Sequence, residues 1–402
     1  MTTDRADHWK YFYFKNGAVG AQMRRIASLN GRIPSGGADA FLADFLENSG
    51  VASVVLSSFD SSVETERYQK VIVREYSKDG LTDPLGCLIK LTRNIVAARP
   101  DRILCGRQGY ALLSCLIAGR FLDKPVVFSG HNRIRQGSGI AGELRYRIDS
   151  WLIRRCAATI CHGPYLADEL SNIGVPKNKI HVFDSDCGDL MGMAASERQS
   201  PSVEGRRRIL FVGRFVKPKG IFDLLDAFAN SLNRGIEGTL VYAGNGAQLP
   251  ELEAAVRERG LIDHVDFTGR LTYAQVGDEI RRSWVVVTPT RSEFPEGRCM
   301  AAMEALALGV PVIAPDAGPF PFLVKDRVNG LLFRQDSVEG LTAALSDILN
   351  TPELRQRLSQ GAIADRSRFL KADVTFSQAV LRAFQDADHN EPGKSSGVEV
   401  VR

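Results

Sequence analysis

The sequence predicts an α/β protein made of two doubly wound domains, each built on a parallel sheet. Three observations carry that prediction. Short apolar runs alternate with helix-period segments along almost the whole chain, the pattern of βαβ units. The alternation stops at residues 190–207, rich in small and polar residues, and then restarts, as it would across a linker. A chain of 402 residues also fits two domains of about 200 each.

The elements follow in order. Tyr11–Phe14 reads as a first strand, and Gly36 and Gly37 precede an amphipathic helix near Ala38–Asn48 with Phe41, Leu42 and Phe45 on one face. Strands continue at 51–56, 71–73, 102–104, 126–128 and 159–161, and Pro100 and Pro125 punctuate two of the entries. After the linker, strands are expected at 209–212, 240–243, 265–268, 285–288 and 312–314. Helices are expected at 221–233, 249–259, 273–283 and 297–308, then an exposed helical stretch at 338–367 and a last amphipathic helix at 376–387. The expected domains are therefore 1–189, a linker 190–207, and 208–370. A helix in 371–390 would pack back on the first domain, and 391–402 would form a disordered tail.

Composition narrows the class. Apolar residues make up 44% and charged residues 24%, which is ordinary for a globular chain. A net charge of +4 is too small to argue for nucleic acid but leaves room for anionic ligands. Seven cysteines include no CxxC pair, and several lie in apolar runs, which favours buried thiols in a reducing compartment. The six histidines form no zinc-type cluster. The N-terminus lacks a signal-peptide pattern and no apolar run reaches the ~18 residues of a membrane span, so a cytoplasmic protein is expected.

In two such domains facing a cleft, ligands bind at the carboxyl ends of strands. One segment there runs from Glu293 through Pro295, Glu296, Gly297, Arg298, Cys299 and Met300 to Glu304. It leads from a strand into a helix whose first amides, near Gly297–Cys299, would favour a diphosphate. Glu296 and Glu304 would lie at most ~12 Å apart along a helix axis, about the reach from a transferred sugar to a ribose. Taken alone, a capping Glu296 and a solvated Glu304 explain the spacing as well, although Met303, Ala305 and Leu306 set Glu304 in apolar company. A second segment, Ile209 to Gly220, places Gly213 and Arg214 at a strand end and Lys219-Gly220 at a helix start. Two cations at such a turn suit a diphosphate, with Arg as a fork and Lys as a point charge, and a solvated basic loop is the plainer alternative.

Together these segments resemble the GT4 family of retaining glycosyltransferases, which have the GT-B fold. The resemblance rests on Glu296 and Glu304 with seven residues between them, Gly213-Arg214 with Lys219-Gly220, Gly244-Asn245-Gly246, Phe267-Thr268-Gly269, and Gly309 to Ala314. It covers about residues 208–335. More loosely, Pro34 to Gly37 looks like the family's glycine turn at the donor phosphate, and Pro125 to His131 like the strand that carries an active-site His.

The resemblance implies a retaining, metal-independent transfer of a sugar from a nucleoside-diphosphate donor (UDP, GDP, ADP or dTDP) to a glycan, lipid-linked or small-molecule acceptor, with no tightly bound cofactor. No DxD motif stands at a strand end. His131, Arg214, Lys219 and Glu296 are the implied catalytic residues. Gly36, Gly37, Gly213, Gly244, Gly269, Arg270, Leu271, Gly297, Arg298, Cys299, Met300 and Glu304 complete the implied donor site. Another GT-B enzyme, such as a nucleotide-sugar 2-epimerase, and a non-catalytic sugar-nucleotide binder are the competing readings.

Two features depart from the family pattern. Residues 15–35 form an unusually long loop with Arg24, Arg25 and Arg32, and Arg298 and Cys299 stand where the family often has aromatic or aliphatic residues. Residues 133–156 hold six arginines against Glu143 and Asp149, interleaved with Tyr146, Trp151, Leu152 and Ile153. That composition suits either a core helix with a solvated face or peripheral contact with anionic lipid.

Overall fold

The computed structural model describes residues 9–15, 19–28, 37–59, 65–76, 84–184 apart from 136 and 138, residues 187, 190, 192 and 193, and 207–389. Gly36, Arg32 and the 391–402 tail lie outside them. The chain divides into two compact units, Met1–Asp184 with Asp373–Arg402, and Ser185–Ala372.

The first unit is built on an eight-stranded sheet in the order β3-β4-β2-β1-β5-β6-β7-β8. Its strands are β1 (Trp9–Phe14), β2 (Val51–Phe59), β3 (Thr65–Tyr68), β4 (Val71–Tyr76), β5 (Arg102–Cys105), β6 (Val126–Gly130), β7 (Ala158–His162) and β8 (Ile180–Phe183). Only β3 against β4 is antiparallel. Strand β1 explains why both faces are covered. Tyr11 and Tyr13 point to one core with Phe45 and Phe384, and Phe12 and Phe14 to the other with Leu112 and Phe128. A strand apolar on both faces, as β1 is from Tyr11 to Phe14, needs a helix layer on each side.

Those layers are supplied by α1 (Val19–Ser28), α2 (Gly37–Asn48), α3 (Pro84–Ala98), α4 (Tyr110–Leu122), α5 (Gly139–Ile153) and α6 (Pro164–Asn172). Helix α1 lies inside the stretch expected as a long loop. Val19 and Met23 sit in the core beside Tyr13, and the N–H of Gly20 donates to Glu75 at 2.7 Å. The chain's last described helix, Phe376–His389, belongs to this unit. Phe376, Val380 and Phe384 are buried with Tyr11 and Tyr13, and Asp44 accepts from the backbone N–H of Ser377 at 2.8 Å.

The second unit carries a six-stranded, fully parallel sheet in the order β11-β10-β9-β12-β13-β14. Its strands are β9 (Arg207–Arg214), β10 (Gly238–Asn245), β11 (Val265–Gly269), β12 (Val285–Val287), β13 (Val312–Pro315) and β14 (Gly330–Phe333). Helices α7 (Ile221–Leu232), α8 (Leu249–Glu258), α9 (Tyr273–Arg282), α10 (Met300–Ala307), α11 (Phe320–Leu323), α12 (Val338–Asn350), α13 (Pro352–Asp365) and α14 (Ser367–Leu370) surround it.

Two expectations need correction here. The stretch 338–367 is helical but not simply exposed: Leu341, Leu345, Ile348 and Leu358 are fully or almost fully buried, and the Trp284 indole donates to the Ile348 carbonyl at 2.9 Å. Residue 190, expected to open the linker, is instead buried in this unit's core with Cys187 and Ile280, and Leu190 and Met193 pack on Gly277 of α9. All of the seven cysteines but Cys87 are buried. Among the described residues no helix is long and apolar enough to cross a membrane.

Candidate functional site

In the second unit the order of strands reverses between β9 and β12. The crevice at such a switch point, beyond the carboxyl ends of the strands, is where open α/β sheets bind ligands. Arg214 is the last residue of β9 and is exposed. The chain then makes a 3₁₀ turn, Lys217–Lys219, and enters α7 through Gly220 in the left-handed region at φ 71°. A Cβ at Gly220 would lie 1.9 Å from the Pro289 carbonyl oxygen, so the turn can press against the segment after β12 only with glycine there.

That approach has a chemical result. Lys219 Nζ sits 2.5 Å from Glu296 Oε2, with both side chains largely buried. Thr290 Oγ1 donates to the same carboxylate oxygen at 3.4 Å. Phe294 lies beneath both cations: Lys219 Nζ is 4.2 Å and Arg214 Cζ 5.5 Å from its ring centroid. A cation over an aromatic face is held electrostatically by the ring quadrupole. Behind this cluster, Arg291 bridges to Asp223 at 2.9 and 3.0 Å and to Glu293 at 3.1 Å, and its backbone N–H donates to the Pro218 carbonyl. These bonds tie the loop after β12 to the turn that presents Lys219. Lys217, by contrast, pairs with Glu251 at 2.9 Å on the surface.

The helix after Glu296 starts later than the sequence suggests. Its first residue is Met300 and its N-cap is Cys299, so Gly297–Cys299 precede the helix instead of forming its first turn. Cys299 is buried, and burial, with help from the nearby Glu296 and Glu304 charges, pushes its thiol up to about 12 despite the opposing Lys219. The thiol is therefore neutral, and its electrostatic neighbours place it among the implied donor residues. Arg298 turns back on α10, with Nε 2.9 Å from Met303 Sδ. Glu304 is buried, and that burial pushes its carboxyl from 4.5 up to about 7.

The other implied residues of this unit stand at the same edge of the sheet. Gly244 at φ 143° brings its backbone against Gly213, where a Cβ would lie 1.9 Å from the Gly213 oxygen. Gly269 ends β11, with exposed Arg270 and half-buried Leu271 after it. Thr290, Phe294 and the Arg291–Asp223 bridge are missing from the sequence reading. Phe294 stands two residues before Glu296, and an aromatic between the two acids Glu293 and Glu296 was the available signal.

The remaining implied residues belong to the first unit. Gly37 is the first residue of α2. His131 follows β6, with Nε2 3.0 Å from Ser129 Oγ. Phe41, Phe183 and Phe376 surround its ring at centroid distances of 6.0, 5.5 and 5.7 Å. Burial, with Lys15 nearby, lowers its pKa to about 3, so the ring is neutral at any ordinary pH.

Two family models match the chain. Residues 193–365 match "Glycosyl transferases group 1" and residues 40–184 match "Glycosyltransferase Family 4". Among curated relatives, an α-D-kanosaminyltransferase of Streptomyces kanamyceticus is 25% identical over 64% of this chain and 70% of its own length. A D-inositol 3-phosphate glycosyltransferase of Segniliparus rotundus is 32% identical over 40% of this chain and 36% of its own. Among solved structures, Anabaena Alr3699/HepE in complex with UDP and glucose superposes with a TM-score of 0.65 at 19% identity, over 95% of this chain and 99% of that one. Together the two matched segments reach both sheets, and the chain is a GT4-like glycosyltransferase with the GT-B fold.

Proposed function

We propose that the enzyme transfers a sugar from a nucleoside-diphosphate donor to an acceptor hydroxyl, with retention of configuration and without a metal. The observation that carries this reading is the Lys219–Glu296 pair, 2.5 Å apart over Phe294 at the strand-order switch. In this reading an arriving diphosphate competes for the Lys219 ammonium, with Arg214 as a second ligand. The Glu296 carboxylate is thereby freed to accept hydrogen bonds from the sugar hydroxyls. As the donor bond breaks, the two cations stabilise the charge developing on the leaving diphosphate. Glu304 takes the ribose, and His131, neutral, contacts the sugar or acceptor through a ring nitrogen. No protein nucleophile is assigned.

UDP is the first nucleotide to test, since the HepE structure was obtained with it. Thermal shift with UDP, GDP, ADP and dTDP on the wild type, Lys219→Ala and Glu296→Ala tests the reading. One nucleotide should stabilise the wild type and Glu296→Ala alike but Lys219→Ala at least tenfold more weakly, and turnover should fall in both variants. Unchanged transfer by Glu296→Ala would end its sugar-positioning role.

We also propose peripheral attachment to anionic membranes. Exposed apolar side chains gather on three helices that pack side by side in the first unit. Leu85 and Ile89 lie on α3, and Ile117 and Phe121 (75% exposed) on α4. On α5 an exposed stripe of Ile140 (91%), Leu144, Ile148 and Trp151 stands opposite a buried face that includes Asp149 and Ser150. Arg147 flanks the stripe, and the Arg155 guanidinium stacks on Trp151 at 3.4 Å. Clustered apolar groups within a basic rim suit a bilayer interface. Flotation should show binding to phosphatidylglycerol-containing vesicles that high salt weakens and Phe121→Ser with Ile140→Ser removes. No binding by the wild type would sink the proposal.

A further inference from the structure

Strand β6 carries a serine that the fold buries completely. Along Val126–Gly130 the side chains alternate between the two faces of the sheet. Val126 and Phe128 enter one core, and Val127 enters the other with Phe183 and Phe376. Ser129 shares the face of Val127 and is fully buried. A hydroxyl there loses its hydration at a cost unless it finds a hydrogen bond. The partner stands two residues on: Ser129 Oγ lies 3.0 Å from His131 Nε2. Among the described residues this is the only hydrogen bond that the hydroxyl makes.

That isolation sets the direction of the bond. A hydroxyl has one proton and two lone pairs. If Nε2–H donated to Oγ, the serine proton would be buried with no acceptor among the described residues, and a buried donor left unpaired bears its full desolvation cost. If the hydroxyl donates to Nε2, only lone pairs go unused, which is the lesser loss. The second arrangement puts the ring's own proton on Nδ1, because His131 is neutral and a neutral imidazole carries one N–H. The rings of Phe41, Phe183 and Phe376 around it offer no competing hydrogen-bond group. Nδ1 has no partner among the described residues. The half-buried ring borders a cavity of about 140 Å³ at the carboxyl ends of β5 and β6.

We propose that Ser129 is a positioning residue: by donating to Nε2 it holds His131 as the Nδ1–H tautomer, so the imidazole meets its ligand as a hydrogen-bond donor. The proposal rests on the reading of His131 as a contact to the sugar or acceptor, and it says what that contact is. The ligand atom facing Nδ1 is an oxygen with a free lone pair. With Nε2 occupied and Nδ1 protonated, the ring has no lone pair to offer, so His131 does not take the proton of the acceptor hydroxyl.

Long-range proton–nitrogen NMR correlation spectra of the full chain, isotope-labelled in histidine, read the tautomer directly. The His131 signals are identified by their absence from His131→Gln. In the wild type the protonated nitrogen should be Nδ1, and in Ser129→Ala the proton should move to Nε2 in a large part of the molecules. Ser129→Thr, which keeps the hydroxyl, should keep Nδ1–H. With the glucose donors of UDP, GDP, ADP and dTDP as probes, nucleotide release should slow about tenfold in Ser129→Ala, as for one neutral hydrogen bond lost in the transition state. Ser129→Thr should recover most of that loss, and stabilisation by the free nucleotide should be the same in all three proteins. A wild-type ring protonated on Nε2 would overturn the proposal whatever the variants do. So would a Ser129→Ala protein that keeps Nδ1–H or turns over as fast as the wild type. If the spectra behave as expected while no probe is turned over, the transfer reading fails and the Ser129–His131 assignment stands.

Discussion

At the scale of single residues, Glu304 is the most informative acid in the molecule. It is buried and carries a pKa of about 7. The folded state holds its proton more tightly than the unfolded chain does. Stability is therefore lost as pH rises from about 4.5 to about 7 and levels off above, by on the order of 1–3 kcal/mol. Glu304→Gln should remove that slope. Melting curves of the two proteins should coincide near pH 4.5 and diverge toward pH 8, with the variant more stable. Parallel curves would show that the carboxyl is solvated and ordinary. Glu296 differs because a cation meets it directly. The sequence names both Lys219 and Glu296, but they stand 77 positions apart. Their contact depends on the close approach of two loops, which no local pattern encodes.

At the scale of elements, the turn from β9 into α7 governs the candidate donor site. Its geometry depends on Gly220, whose left-handed backbone and contact with Pro289 leave no room for a side chain. Gly220→Ala should cost about 2 kcal/mol or more, because the strained φ and the clash add. Urea unfolding measures that loss, and nucleotide stabilisation should weaken with it as Lys219 moves. A variant as stable as wild type would mean that the loop after β12 yields easily.

Element existence was readable in the sequence wherever an apolar run was bounded by turn residues, as at Ile209–Val212 or Val126–Phe128. Strands β3, β8 and β14 were not: Thr65–Tyr68 is mostly polar, His181 interrupts the apolar run of β8, and Asn329-Gly330 at the entry of β14 reads as a turn. Helix α10 begins at Met300 and not at Gly297, since Gly297 and Cys299 have no strong helical preference. Helix α1 escaped notice although Val19, Met23 and Ile26 stand at helical spacing, because Arg24 and Arg25 and the flanking Gly17 and Gly31 gave the stretch the look of a basic loop.

At the scale of the whole molecule, each unit is stabilised by two apolar cores, one on each face of its sheet. The first unit is completed only by the far end of the chain. Phe384 is fully buried, edge-on to Tyr11 at 5.8 Å and 5.1 Å from the Arg102 guanidinium. Phe384→Ala should destabilise that unit by about 3–5 kcal/mol. Hydrogen exchange should then speed up at the amides of β1 and β5 and stay unchanged in β9 to β13. Equal loss of protection in both sheets would show that the units unfold as one.

By itself the sequence determined the two-fold repetition of α/β alternation and most of the strands of both sheets, and the segments around Arg214, Lys219, Glu296 and Glu304 resemble a known glycosyltransferase family. The alternation is a property of local periodicity, which a linear chain displays directly, and the family came from likeness of motifs. The tertiary structure decided that Lys219 is held against Glu296 over Phe294 and that Glu304 loses its water. Each of these depends on desolvation and on contacts between distant segments, and both come into existence only when the sheets are packed.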